Sequence, residues 1–356
     1  MKETLNNNFT VNEDGTIKKS SFLDRITLET LLNNALYILI FFFVIYVAIK
    51  NPRFLSLGSI VNIITQTSFR LPIALGVAGI IVLTGTDLSA GRIVGLTAVI
   101  TASLLQASDY AAKMYPGLGD VPILLVLLIV MIVGGIVGAV NGLFVAQFKL
   151  HPFIVTLSTQ LIVYAVSLQY IKLGANDGKP IGGLREDFTN MITGGFELGE
   201  VRIQYLVFYA ILLTAVMWFV WNKTVIGKNM FAVGCNPEAA NVSGISVFKT
   251  IVITFVIAGV LYGINGFFTS ATVGSNNAAT GINFELDAIA AAVIGGVSFS
   301  GGIGKIRGVV LGVFLLQLIT SSFIFLGMDA NLQYAIKGIV ILLACAIDMR
   351  KYITKK

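Results

Sequence analysis

The chain is poor in charged residues, which make up only 12% of its 356 residues, while 56% are hydrophobic. Soluble globular domains carry about 25% charged residues. This shortage excludes an ordinary soluble domain and indicates an integral membrane protein. The net charge of +6 is then expected to reflect Lys and Arg in cytoplasmic loops rather than a surface for nucleic acid.

The chain also has little that would serve catalysis or bind a metal. Its single histidine, His151, and its two cysteines, Cys235 and Cys345, form neither a disulfide framework nor a His/Cys metal motif. A phosphate-binding P-loop requires G-x-x-x-x-G-K-[ST]. The nearest match, "GIGK" at 302–305, fails because Phe299 stands at the first glycine position. We therefore expect no metal and no cofactor on this chain, so that any ATP and magnesium would be bound by a partner.

Apolar runs fill most of the chain. A transmembrane helix needs about 20 consecutive, mostly apolar residues. The runs of suitable length are 31–49, 60–83, 121–148, 152–173, 203–221, 250–269, 308–327 and 331–349. Two shorter runs, 93–106 and 288–297, lie beside breaks rich in glycine and serine. The sequence thus predicts an all-α integral membrane protein of about ten transmembrane helices, with short interrupted helices near 84–106 and 284–302.

Charge predicts the orientation of these spans. With both chain ends on one side, fifteen of the 24 Lys and Arg residues fall on that side, seven on the other and two within spans. Cytoplasmic loops are rich in Lys and Arg, so both termini are predicted to be cytoplasmic. The predicted segments are a polar N-terminal segment, a transmembrane domain and a basic tail: 1–30, 31–349 and 350–356. The longest loops are 222–249 inside and 174–202 outside.

The two breaks between spans resemble each other. "TGTDLSAG" at 84–91 and "GGVSFSGG" at 295–302 share three identities at an offset of 211 residues. Paired glycine-interrupted segments in the two halves of a transporter point to its substrate pathway. The candidate pathway residues are Thr84, Gly85, Asp87, Ser89, Gly295, Gly296, Ser298 and Ser300. For Asp87 we favour a structural role, either capping the helix that starts near Ala90 or pairing with Arg92, over substrate contact.

Few ionisable residues fall inside the predicted spans. Arg70 and Lys337 lie within apolar runs, where snorkelling or pairing at an interface is the favoured interpretation. A proton-coupled carrier needs carboxylates at membrane depth, and the sequence places none clearly at the midplane. Glu285 and Asp287 instead flank the start of a short span. An ion-coupled secondary transporter therefore receives little support, although it stays open as an alternative.

A short polar helix is predicted within the 222–249 loop, in "GCNPEAANVSG" at 234–244. Asn236 can cap this helix, Pro237 suits its first position, and Gly244 can end it in the left-handed conformation. Isolated helices shorter than about 12 residues are marginal in water. The predicted helix therefore needs packing against its own chain or against a partner.

Several stretches carry a family resemblance: "TGTDLSAGR" at 84–92, "NPEAANVSGI" at 236–245, "FELDAIAAAVIGGVSFSGGIG" at 284–304 and "QYAIKG" at 333–338. In these stretches, and over nearly all the chain after its N-terminal segment, the sequence resembles the membrane permease subunits of bacterial ABC importers for simple sugars. Members more often carry Gly-Gly-Ile-Asp-Leu-Ser at the first stretch, and the Thr-Gly-Thr-Asp form is similar to the galactoside type. The resemblance thus implies galactose or a methyl-galactoside as substrate, with ribose, xylose or a nucleoside as alternatives.

The resemblance also implies a mechanism and partners. Two permease copies would form the pathway in the lipid of the bacterial inner membrane, without nucleic acid. A secreted sugar-binding protein would deliver the sugar, and an ATPase subunit with two cassettes would drive alternating access. This chain would then be a transport subunit and not an enzyme. The helix after Cys235 matches the coupling helix that contacts the ATPase, with the candidate residues Asn236, Pro237, Glu238, Ala239, Ala240, Ser243 and Gly244.

Overall fold

A computed structural model describes residues 9–11, 17–19, 35–199 and 201–329, together with individual residues between 331 and 346. The predicted tail 350–356, most of the predicted last span 331–349 and most of the N-terminal segment 1–30 lie outside the described residues, as does Lys337. Elsewhere the structure is mostly helical, as the sequence predicts.

The helices of the described residues follow the apolar runs closely. They are α1 (Ala35–Lys50), α2 (Leu57–Val82), α3 (Ala90–Leu104), α4 (Ile123–Phe148), α5 (Pro152–Tyr170), α6 (Glu186–Thr193), α7 (Tyr205–Lys223), α8 (Val225–Cys235), α9 (Pro237–Val242), α10 (Val247–Val273), α11 (Phe284–Ile294) and α12 (Ile306–Phe325). Six of them, α2, α4, α5, α7, α10 and α12, are long and apolar enough to cross a membrane. We name the two ends of the bundle by the predicted orientation, so that 51–56 lies at the outer end and 83–89 at the inner end.

Two antiparallel hairpins depart from the all-α expectation. β1 (Phe9–Val11) pairs with β2 (Ile17–Lys19), and β3 (Gly195–Leu198) pairs with β4 (Val201–Gln204). The second hairpin and α6 belong to the predicted outer loop 174–202, which is therefore structured. The predicted inner loop 222–249 is also mostly helical, since it holds α8, α9 and the start of α10.

Helices α4 and α10 pack with their backbones almost in contact. Gly134, Gly138 and Gly142 repeat every four residues on α4 and face α10. A Cβ atom at Gly134 would overlap the carbonyl oxygen of Gly259, and one at Gly138 would overlap that of Phe255. Small residues at this spacing allow close approach of membrane helices, where van der Waals packing drives association.

The second short helix, α11, begins inside the bundle because the segment before it turns back. Asn276 still belongs to the outer end, where its backbone exchanges hydrogen bonds of 2.7 and 2.9 Å with Ile181. Further on, the carbonyl of Thr280 lies against Gly95, and Gly281 lies against Gly91, one residue into α3. Since Gly91 is thirteen residues from the outer end of α3, at 1.5 Å per residue it lies about 20 Å below that end.

The α4–α10 contact predicts different outcomes for two neighbouring glycines. Gly134→Ala should lower the free energy of unfolding by about 1–3 kcal/mol, because its Cβ has only rigid backbone to displace. Gly135→Ala should change it little, since the nearest atom is a methyl group of Val260 at 3.2 Å that can turn away. Thermal unfolding of the two variants in detergent measures the difference, and equal melting temperatures would show that the close approach is not required.

Candidate functional site

The α9 helix has the predicted caps. The Asn236 side chain accepts a hydrogen bond of 2.9 Å from the backbone N–H of Ala239, and Pro237 occupies the first turn. At the other end Gly244 has a φ of +83°, and Ile245 N–H donates to the carbonyl of Ala240 at 3.0 Å. These bonds satisfy backbone groups that a helix of this length would otherwise leave free.

The face that α9 presents differs in part from the expectation. Glu238 and Ala239 are exposed, but Ala240 is only 5% exposed and packs into its own chain. The Ser243 hydroxyl donates to the carbonyl of Ala239 at 2.9 Å, within the helix. Val242, which the sequence did not single out, is 90% exposed. The sequence did carry a signal for Val242. It is four residues after Glu238 and three after Ala239, which places it on the same face of the helix.

The two breaks and the end of α8 meet at a glycine junction, which consists of Val82, Thr84, Gly234, Gly301 and Gly302. Gly302 N–H donates to the carbonyl of Val82 at 2.8 Å. A Cβ atom at Gly234 would overlap that same carbonyl, and one at Gly301 would overlap the Thr84 side chain and the Gly234 carbonyl. The segments that the sequence paired by similarity are thus in direct contact, and α9 begins three residues after Gly234.

Thr84 carries backbone strain at this junction. Its φ is +62°, a left-handed conformation that β-branched residues rarely adopt. Its side chain is exposed, and its hydroxyl donates to the carbonyl of Leu83 at 2.6 Å. Strain of this kind persists only where the surrounding contacts hold it, and it concentrates at functional sites.

A buried polar network, formed by Asp87, Ser89, Asn141 and Thr159, ties the first break to α4 and α5. The Asp87 carboxylate accepts hydrogen bonds from the backbone N–H and the hydroxyl of Ser89, at 2.9 and 2.5 Å. Asn141 donates to the Ser89 hydroxyl at 3.0 Å and accepts from the Thr159 hydroxyl at 2.6 Å. Asp87 therefore closes the turn before α3 through Ser89, which is a structural contact but not the expected helix cap, because Ser89 holds the N-cap position and its side chain makes no capping hydrogen bond.

The alternative ion pair between Asp87 and Arg92 is not among the salt bridges of the described residues. Arg92 instead donates to the carbonyl of Ala278 at 3.1 Å, and its guanidinium lies 4.2 Å from the centroid of the Tyr164 ring. The returning segment 274–283 thus lies against the start of α3.

The candidate pathway residues differ in their access to a passing molecule. Those buried in the structure are Gly85, Asp87, Ser89 and Ser298, whereas Thr84, Gly296 and Ser300 are exposed and Gly295 is intermediate. The exposed members all lie at the inner end of the bundle, next to the glycine junction. The buried members hold the two breaks in shape, as the Asp87 network does.

Charged groups do lie at membrane depth. Arg70 pairs with Asp287 at 3.2 Å, and its guanidinium carbon lies 4.0 Å from the centroid of the Phe284 ring. Glu285 is 5% exposed and packs against Gly91. The sequence favoured snorkelling or pairing for Arg70, and the structure shows pairing. The sequence placed no carboxylate clearly at the midplane, and the turn of 274–283 into the bundle, which cannot be seen in hydropathy, is what brings Asp287 beside Arg70.

The outer loop is organised by Arg185. Its backbone N–H donates to the carbonyl of Leu105 at 3.0 Å, and its guanidinium donates to the carbonyl of Val121 at 2.9 Å and pairs with Asp187. The guanidinium holds the pKa of the exposed Asp187 carboxylate below its ordinary value. Asp120 lies 3.9 Å from the same cation. The surface of this loop therefore carries closely spaced charges outside the membrane.

The polar network predicts that Thr159→Val destabilises the fold. The change removes the donor to Asn141 and leaves a buried amide oxygen without that partner, at a cost of about 1–3 kcal/mol. Thr101→Val is the matched control, because Thr101 is also buried and its hydroxyl donates to the helix carbonyl of Thr97. Melting temperatures in detergent should fall for the first variant and stay close to the wild type for the second, and the reverse order would contradict the network.

Comparison with known proteins places these features in a family. A family described as branched-chain amino acid transport system / permease component matches residues 59–345. The galactose/methyl galactoside import permease of Escherichia coli is 44% identical over 341 residues, covering 96% of this chain and 99% of that protein. The ribose import permease of Bacillus subtilis is 33% identical over 313 residues, covering 88% and 91%.

The D-allose transport system permease of Escherichia coli is 32% identical over 312 residues, which cover 88% of this chain and 90% of that protein. No solved structure matches the chain. The matched region, 59–345, includes both breaks, the glycine junction and α9. The chain belongs to this family of membrane permeases.

Proposed function

We propose that the chain is the membrane-spanning permease of an ATP-driven (ABC) importer that moves galactose or a methyl galactoside into the cell. The observation that carries the proposal is the identity of 44% with an import permease for these sugars, over almost the whole of both chains. The fold supports it, since a bundle of apolar helices with two breaks is suited to a pathway through a membrane.

The proposed topology has about ten spans and both termini in the cytoplasm. Asn51 donates to the carbonyl of Phe325 at 3.2 Å, which supports placing the outer ends of α1 and α12 together. At the opposite end lie Lys149, Lys223 and Lys305, which is the distribution expected of a cytoplasmic face. The protein would then reside in the bacterial inner membrane.

The proposed partners are an ATPase subunit, a secreted sugar-binding protein and a second copy of this chain. The exposed face of α9, formed by Glu238, Ala239 and Val242, supports docking of the ATPase at the inner end. The binding protein would dock on the loop around Arg185 at the outer end. ATP and magnesium would be bound by the ATPase, and this chain would supply the pathway without its own catalytic step.

Movement of α9 would reach the pathway through rigid contacts. The junction joins the end of α8 to both breaks, and Met230 of α8 lies against Gly79 of α2 with 3.8 Å between its sulfur and an added Cβ. Because these contacts are largely backbone against backbone, a displacement of α9 is passed on rather than absorbed by side chains. Closure of the ATPase would thereby open or close the inner end around Thr84 and Ser300.

Uptake of labelled galactose into proteoliposomes tests the proposed function. The expected result is uptake that requires the ATPase subunit, the binding protein and ATP, and that stops when any of them is omitted. Uptake without the ATPase, driven by a proton gradient, would establish the ion-coupled carrier, which Glu285 and Asp287 at membrane depth would suit. A panel with ribose, allose and xylose in the same assay tests the sugar, since the ribose and allose permeases are more distant relatives.

If α9 is the coupling helix, a substitution on its exposed face should impair sugar uptake but not ATP hydrolysis. Ala239→Arg should abolish sugar uptake while the complex still inserts and hydrolyses ATP, because a bulky cation replaces a small exposed side chain at the docking face. Ala239→Ser is the matched control, since it keeps a small side chain at the same exposed position. The ratio of sugar transported to ATP hydrolysed measures the effect, and a wild-type ratio for Ala239→Arg would disprove the coupling role.

A further inference from the structure

A polar stripe runs down the outer half of α2. Asn62, Gln66 and Arg70 repeat every four residues, and this spacing places them on one face of the helix. Asn62 is exposed, and Gln66 and Arg70 are partly exposed. After Arg70 the helix is buried as far as Val82. The stripe therefore leads from the outer end to the ion pair of Arg70 and stops there.

The ion pair lies deep in the membrane and remains open to the surface of the bundle. Arg70 is the fourteenth residue of α2, which places it about 20 Å from the start of the helix. The side chains of Arg70 and Asp287 are nevertheless 23% and 22% exposed. The guanidinium of Arg70 also packs on the ring of Phe284.

The surface around the pair is a narrow groove between three helices, and its cavity is about 10 Å³ in this conformation, so the helices must separate before a sugar can enter. Its polar lining residues come one from each helix: Arg70 from α2, Asp287 from α11 and Gln317 from α12. It is also lined by three small residues, Ala74, Ala288 and Ala291. Gln317 is partly exposed and adds a further polar side chain. Charged and amide side chains at this depth face protein or water and not lipid, because lipid exposure of a charge costs at least about 2.5 kcal/mol.

We propose that this groove lines the outer half of the translocation pathway and that Arg70 and Asp287 hydrogen-bond the sugar as it passes. An ion pair with no net charge suits a neutral, hydroxyl-rich substrate, because the guanidinium donates to hydroxyl oxygens and the carboxylate accepts from hydroxyl groups. The inference rests on the proposed function, in which a second copy closes the groove. It adds residues at the outer half to the candidates at 84–89 and 295–300, which lie at the inner end.

Cysteine labelling of the complete transporter in intact cells tests the pathway. Gln66→Cys is compared with Ile132→Cys, in a background carrying Cys235→Ser and Cys345→Ser, using a membrane-impermeant thiol reagent added outside. The two positions are matched, since each is the tenth residue of a helix that starts at the outer end, and Ile132 is 51% exposed on α4. We expect Gln66→Cys to react at least about tenfold faster, because only a water-filled groove admits the reagent.

A second pair of cysteine variants, Asn62→Cys and Leu128→Cys, keeps the test decisive if Gln66→Cys does not insert into the membrane. Asn62 and Leu128 are each the sixth residue of the same two helices, and Leu128 is 52% exposed. If neither Gln66→Cys nor Asn62→Cys reacts faster than its partner, the inference is overturned. This outcome leaves the proposed function standing whenever uptake still requires the ATPase, and the two failures are therefore distinguishable.

Protection from labelling by galactose tests whether the sugar contacts Arg70 and Asp287. During uptake of galactose, labelling of Gln66→Cys should slow, since the sugar occupies the groove one helical turn below this position. Adding Asp287→Asn should abolish this protection while labelling without sugar persists. Labelling at an unchanged rate during galactose uptake, or protection that survives Asp287→Asn, would overturn the sugar contact.

Discussion

Interrupted helices inside a membrane require hydrogen-bond partners from the protein, because hydrocarbon offers none to a free N–H or C=O group. At the first break, Gly85 N–H bonds to the carbonyl of Ile80 at 3.0 Å, and at the second, Ser298 N–H bonds to that of Ile303 at 3.1 Å. The bond from Gly302 to Val82 then joins the breaks to each other. The position of α8 and α9, and with them the face offered to a partner, depends on this junction.

The same constraint explains why glycine is placed where backbones meet. Gly301 and Gly302 have φ values of +81° and +67° and also lack room for a Cβ, so both their conformation and their contacts require glycine. Thr84 adopts a similar conformation with a branched side chain and is held there by its neighbours. A rigid backbone junction passes a displacement on, and Thr84 is the residue within it whose conformation is strained.

The polar groups divide into two sets with different roles. The Asp87 network is buried and is held by four hydrogen bonds, and it stabilises the turn between α2 and α3. The pair of Arg70 and Asp287 is partly exposed at membrane depth and continues a polar stripe. A buried charged group whose hydrogen bonds are made within the chain has a structural role. A charged group that stays accessible at membrane depth is instead expected to contact a substrate or a partner.

The sequence by itself determined the membrane class, the helices from α1 to α12 that coincide with apolar runs, and the capped helix after Asn236, since hydropathy and capping are local properties. It also paired the two breaks and assigned Asp87 a structural role. Only the tertiary structure decided that 274–283 turns inward, that Asp287 meets Arg70, and that Ala240 is buried while Val242 is exposed. These depend on contacts between residues as much as 217 positions apart, and no local pattern of polarity encodes the depth to which an irregular segment descends.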